Sequence, residues 1–467
     1  MQSPVQDSRI ARLNWGSIYA LLFCIAATFL FVRGFEGGLT GLICYGFLCV
    51  GMAILSLLTT AHVRPFQSLF LFSSPASVSF LTITFYFFVV LAVDKDVTAF
   101  STAYVGWTAV LSLALIVTLW PMIRKLRYGS DRCYRVSAGA GLLCALSLLG
   151  WALLALAAAF SGIGSLWNVY KDPLQMRTFM SAGGMAYYKI VCDFLVLMPP
   201  KVAALKRYST NMPSRAFQLL VFSGILYTLA SGSRGATIDL VISLIMIRQF
   251  LGRPFRAIIF AVCALAVIPF VAIIGEYRSN PALYGGNMSE LLKIAGYLGP
   301  EKVVSLFVAR LDAPYYFNLL TQHRYSTKLS YGMSYLAWPL QAIPRNLWAG
   351  KPLLPNTDLT YRLVTGPGSH ATFDFSIFGE SYLNFGVMGI VFSALVIFVF
   401  FCYMQRRFQR MVESRSVSEV LYFVMLWAMP MYLIVSGLVA AATVTCMLLL
   451  QYWAARMLFF RRERGDG

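Results

Sequence analysis

Charged side chains make up only 12% of the 467 residues, and histidine occurs three times. With 59% hydrophobic residues and a mean hydropathy of +0.70, the chain has too little polar surface to cover its apolar side chains in water. A soluble globular protein is therefore excluded. The short alternating segments of about ten residues that mark a membrane β-barrel are missing, and long unbroken apolar runs stand in their place. The nine cysteines offer no disulfide framework and no metal-ligand spacing. Eight lie in apolar runs, Cys133 lies in a basic loop, and none falls in the one long polar segment. HExxH, P-loop and GxGxxG contexts are absent, and the GSLW and GSRG glycines lack phosphate-loop spacing. Neither a metal nor a nucleotide cofactor is expected. There is also no internal repeat, no low-complexity tract and no inverted symmetry of halves such as many transporters show.

Twelve apolar segments are present, at 14–32, 38–60, 74–93, 103–123, 136–160, 185–200, 214–231, 235–252, 256–276, 383–404, 417–437 and 438–460. About ten to fourteen membrane helices fit a chain of this length, so the predicted fold class is an all-α polytopic membrane protein with about twelve transmembrane helices. The net charge of +19 follows from topology rather than nucleic-acid binding, since 22 of the 38 Lys and Arg fall in short segments on one side. HVRPF, RKLRYGSDRCYR, KVAALKRYSTNMPSR, RQFLGRPFR, MQRRFQRMVESR and RRERGDG all come out cytoplasmic, with both termini inside. Arg9 and Arg12 precede an apolar run without a small-residue cleavage site, which predicts a retained first helix.

This reading divides the chain into helices 1–9 over 1–276, a large outward loop over 277–382, and helices 10–12 with a cytoplasmic C-terminus over 383–467. The loop is too long for a passive connection. Within it, MSELLKIAGYLG and KVVSLFVARLDAPYYFNLL space apolar residues as surface-lying amphipathic helices do, and LSYGMSYLAWPLQAIP offers Trp338, with Trp348 beyond it, as interfacial anchors. The outward side also carries arginines that oppose the topology rule: Arg177, Arg234, Arg278, Arg310, Arg324, Arg345 and Arg362. Their planar donor forks suit phosphate oxygens and stay charged when partly buried; structural ion pairs or lipid headgroup contacts are the plainer alternative. In SGSRGATIDL, Ser233 is positioned to cap a helix starting near Arg234, whose N-terminus would favour an anion. A tight helical hairpin that needs glycine explains the same residues.

Acid–base candidates are few: Glu276, Asp312, Asp358, His370, Asp374 and Glu380. His370 precedes a returning helix and has a pKa suited to proton transfer. Asp312 follows Arg310 and could be its tether. Glu380, in FGESYLNFG, could orient a sugar hydroxyl or pair with an arginine. Tyr187, Tyr188, Tyr315, Tyr316, Tyr335 and Tyr382 supply aromatic surface of the kind that stacks on sugars or lines an interfacial belt.

The SGSRG turn before an apolar helix, the Tyr277–Arg278 pair, IPRNLWAGKP in the loop and FGESYLNFGVMG together resemble the Wzy-type O-antigen polymerases. These enzymes polymerise oligosaccharide repeat units of bacterial surface polysaccharides. The resemblance covers roughly residues 165–400. It implies a metal-independent, GT-C-like membrane glycosyltransferase of the inner membrane without a cofactor, its active site on the periplasmic side. Donor and acceptor would both be undecaprenyl-diphosphate-linked oligosaccharides, with a chain-length regulator and a flippase as implied partners and no nucleic acid. On that reading Arg234, Arg278 and Arg345, followed by Arg177 and Arg310, hold the diphosphate. His370, then Glu380 and Asp312, are the candidates for the base, and Tyr277, Tyr315 and Tyr382 meet the sugars. An O-antigen ligase, a transporter of lipid-linked oligosaccharide and an export-complex scaffold are the alternatives.

Overall fold

The computed structural model describes residues 99–124, 134–171, 185–210, 212–231, 234–251, 312–322, 329–343, 376–414 and 416–462, with the single positions 299 and 348. Eight of the twelve expected apolar segments fall here, and each is helical. They correspond to α1 (Ala99–Arg124), α2 (Ala140–Phe160), α4 (Met185–Ser209), α5 (Ser214–Ala230), α6 (Arg234–Leu251), α10 (Gly389–Ser414), the broken pair α11 (Val417–Leu426) and α12 (Met429–Ser436), and α13 (Leu438–Phe459). Shorter helices complete the set: α3 (Leu166–Lys171), α7 (Asp312–Gln322), α8 (Met333–Leu336) and α9 (Ser376–Phe385). Strands β1 (Tyr134–Val136) and β2 (Phe460–Arg462) form one antiparallel ribbon. The expected segments 14–32, 38–60, 74–93 and 256–276 lie outside the described residues.

Among the described residues four stretches are long and apolar enough to cross a membrane: Ala140–Phe160, Ser376–Met411, Val417–Ser436 and Leu438–Phe459. The protein is thus all-α, with apolar helices able to span a bilayer. α5 is one residue short of such a stretch, and α4 is interrupted by Lys189, Asp193 and Lys201.

Two boundaries differ from the sequence expectation. The apolar segment at 185–200 is followed in the sequence by the basic stretch KVAALKRYSTNMPSR, which reads as a cytoplasmic connection. Instead α4 continues into that stretch as far as Ser209, running through Pro199 and Pro200, residues that ordinarily break a helix. Packing overrides the breaker: Val202, Ala203, Ala204 and Leu205 are all buried in one cluster with Met246, Ile247 and Phe423. In the second case helix begins at Ser376, seven residues before the apolar run at 383. Ser376 to Asn384 are buried without exception, so the polar residues of this stretch are covered by protein.

Among the described residues three apolar clusters hold the bundle. One joins α1, α7, α9, α10 and α12 around Tyr104, Phe317, Phe378 and Phe398. The largest joins α2, α4, α5, α6, α10, α11 and α13, and the third packs α2 and α3 on α4, α5 and α6 around Tyr227 and Leu240. Within a bilayer, close packing of small residues and interhelical hydrogen bonds replace the hydrophobic drive. Both are present here. A Cβ at Gly150 of α2 would collide with Val196 of α4. Ser147 and Trp151 of α2 both bond Ser223 of α5 at 2.8 Å. Gly150→Leu should therefore separate α2 from α4 and destabilise the protein by about 1–3 kcal/mol, read as a lower thermal midpoint in detergent, whereas Gly141→Leu, at a position with open space, should leave the midpoint near wild type.

Candidate functional site

α9 carries the sequence SIFGESYLNF and packs against α7, α10 and α12. Its start is a local device. Ser376 takes the left-handed conformation at φ 65°, and its Oγ accepts the Gly379 N–H at 3.3 Å. That satisfies one of the orphan donors of the first turn. One turn on, Glu380 is 2% exposed, and its Oε2 accepts the N–H groups of Leu438 at 2.6 Å and Val439 at 3.3 Å. These are the first two residues of α13. A carboxylate on a helix N-terminus meets both the unpaired donors and the positive end of the helix dipole. Gly437 makes this approach possible. It sits at φ 91°, and a Cβ there would lie 2.7 Å from Glu380 Oε2.

The C-terminal half of α9 fixes the segment 330–338. Asn384 Oδ1 accepts the Gly332 N–H at 3.0 Å, and its Nδ2 donates to the Glu380 carbonyl at 2.7 Å and to Ser334 Oγ at 3.3 Å. The Ser330 N–H donates to the Leu383 carbonyl at 2.9 Å. The Tyr335 hydroxyl lies 3.4 Å from Ser381 Oγ. Burial, and then the negative charge of Glu380, push the Tyr335 phenol well above its ordinary range, so it stays protonated and can serve as a donor. Trp338 donates from Nε1 to Thr443 Oγ1 on α13 at 2.6 Å.

Of the sequence-derived site residues, Glu380 and Tyr382 fall in this cluster. Tyr382 is 7% exposed, with its ring nearly perpendicular to those of Tyr104 at 5.8 Å and Phe317 at 6.4 Å, so it is packed among protein aromatics. Asp312 is the first residue of α7 and Tyr315 lies one turn on; α7 packs on α9. Arg234 is the first residue of α6. A Cβ at the adjacent Gly235 would sit 3.6 Å from the Tyr432 hydroxyl of α12. The same α12 contributes Leu433 and Ile434 to the cluster that contains Ile377 and Phe378 of α9. Gly235, the last residue of SGSRG, and Phe378, the first of FGESYLNFG, thus share one helix as neighbour. His370, Arg177, Arg278, Arg310, Arg345 and Tyr277 lie outside the described residues.

A second polar group escapes a reading centred on outward arginines. On α4, Lys189 Nζ is 2.5 Å from Asp193 Oδ2, and the Tyr227 hydroxyl of α5 donates to Asp193 Oδ1 at 2.8 Å. Two turns further on, Lys201 Nζ pairs with Asp239 Oδ2 of α6 at 2.6 Å. The signal is present in the sequence as Lys189, Asp193 and Asp239 inside apolar runs, where ionisable residues are costly unless paired or functional, whereas Lys201 falls just beyond one.

Glu380→Ala should leave the two N–H groups of α13 without their acceptor and lower stability by about 1–3 kcal/mol, with Glu380→Gln intermediate because its amide oxygen still accepts. Thermal unfolding of the purified variants in detergent checks this; an unchanged midpoint for Glu380→Ala would show that the cap is dispensable. Comparison of the chain with protein-family models, with curated proteins and with solved structures gives no match.

Proposed function

We propose that the protein is a membrane glycosyltransferase that polymerises lipid-linked oligosaccharide repeat units at the outward face of the membrane. The observation that carries this reading is that two of the four motifs resembling the Wzy-type polymerases meet α12, SGSRG through Gly235 and FGESYLNFG through Phe378. In the proposed reaction the terminal hydroxyl of an undecaprenyl-diphosphate-linked unit attacks the anomeric carbon of the growing glycan. A new glycosidic C–O bond forms as the bond from that carbon to the diphosphate oxygen breaks, and undecaprenyl diphosphate departs. The hydroxyl proton passes to a base.

Charge develops on the departing diphosphate, and arginines can neutralise it without a metal. Arg234, Arg278 and Arg345 are assigned that role, with Arg177 and Arg310 in support. Since both N–H groups at the start of α13 already rest on the Glu380 carboxylate, His370 is favoured as the base and Glu380 as the residue that holds α9 to α13. Tyr277 and Tyr315 remain for the sugars.

A transporter of lipid-linked oligosaccharide is the second reading. It is favoured by one observation, the ionisable set Lys189, Asp193, Lys201 and Asp239 inside the bundle. Cell-derived membranes carrying each variant separate the two. Arg278→Ala or Arg345→Ala should abolish chain extension, leaving membrane insertion and lipid-linked precursor levels intact. Extension near the wild-type level in either variant would remove that residue from the assignment. Asp193→Asn should lower stability with extension per folded molecule retained; accumulation of precursor on the inner leaflet would favour the transporter instead.

A further inference from the structure

The ribbon of β1 and β2 has the register Tyr134↔Arg462, Arg135↔Arg461, Val136↔Phe460. Side chains alternate faces along a strand, and directly opposed residues share a face. Val136 and Phe460 are 3% and 7% exposed and belong to the largest apolar cluster, so their face is turned into the bundle. Arg135 and Arg461 therefore share the other face, and both are exposed. Opposed residues in an antiparallel pair have Cβ atoms about 4.5–5.5 Å apart, and like charges in that position are destabilising. Among the described residues neither arginine is ion-paired. A ribbon of two three-residue strands has few hydrogen bonds with which to offset that repulsion.

Its surroundings say what can relieve it. β2 follows directly on α13, a stretch long and apolar enough to span a membrane. In the last two turns of α13, Trp453 is half exposed and carries the Arg456 guanidinium 5.1 Å from its ring centroid, an arrangement suited to the headgroup region. The ribbon thus emerges at headgroup level with two guanidinium forks side by side. One phosphodiester accepts from both forks and removes their repulsion. Two cations against one phosphate leave a surplus positive charge that disfavours an ammonium headgroup and accepts an anionic one.

We propose that Arg135 and Arg461 form a binding site for the phosphate of an anionic glycerophospholipid, and that this lipid joins the 134–136 segment to the end of α13. The test uses the full-length protein in a neutral detergent, with thermal unfolding followed on addition of phosphatidylglycerol, phosphatidylcholine or inorganic phosphate at equal phosphate concentration. Phosphatidylglycerol should raise the midpoint, with phosphatidylcholine and inorganic phosphate giving little shift. The double variant R135Q/R461Q should lose the phosphatidylglycerol response. R135E, which sets a carboxylate opposite Arg461, should have a higher lipid-free midpoint than wild type and no response. Equal shifts from phosphatidylglycerol and phosphatidylcholine, or a full response retained by the double variant, would overturn the site. A full shift from inorganic phosphate would overturn the lipid as its source. Both side chains are exposed, so the variants are expected to fold; were they not recovered, lipid retained by the wild type in native mass spectrometry decides, and no preference for phosphatidylglycerol there would also overturn the site.

Discussion

A helix that begins where water is scarce must find an acceptor for its first backbone N–H groups, or lose a few kcal/mol for each donor left bare. α13 meets that constraint with the Glu380 carboxylate, delivered from a different helix 58 residues earlier in the chain. Much of the surrounding geometry follows from it. Gly437 has no side chain because the carboxylate occupies the space one would fill. α9 is held with every residue from Ser376 to Asn384 covered. The carbonyl of the same glutamate and the side chain of Asn384 then anchor Gly332 and Ser334. The polar motif that stands out in the sequence is thus a joint between a membrane helix and the segment 330–338.

The bundle interior solves a second version of the problem with ion pairs. Lys201 is nearly fully buried, and Asp239 is about one-third exposed. Charges removed from water recover little net stability even when paired, yet removing one partner leaves the other uncompensated. The cost of breaking this pair is below the about 3–5 kcal/mol typical of full burial, because Asp239 keeps some access to its surroundings. What the pair fixes is the register of α4 against α6 immediately after two prolines. The Asp193–Tyr227 hydrogen bond does the same between α4 and α5.

Hydropathy made the helices legible, since an apolar run in a chain this poor in charge has few other fates. α2 and α13 start and stop within a few residues of their apolar runs. Hydropathy fell short at the end of α4, where tertiary packing carries the helix through two prolines into a basic stretch, and at the start of α9, where burial by other helices stands in for side-chain apolarity. FGESYLNFG was legible as a special stretch. Its partner was not, because nothing in the residues near Glu380 points to Leu438. Gly437 held the only local hint, as a glycine between two apolar helices. The β1–β2 pairing, joining positions 134–136 to 460–462, was equally silent: three-residue strands carry no period, and the basic residues read as a topology signal.

Glycan transfer by the protein can be followed in a reconstituted reaction. The purified protein would be incubated in detergent with a synthetic undecaprenyl-diphosphate-linked repeat unit and EDTA, and the products resolved on a gel. A ladder of chain lengths, with undecaprenyl diphosphate released in step with each added unit, is the predicted result. Absence of any ladder from folded protein, with glycan appearing only on added lipid A core or with lipid movement alone in proteoliposomes, would contradict it.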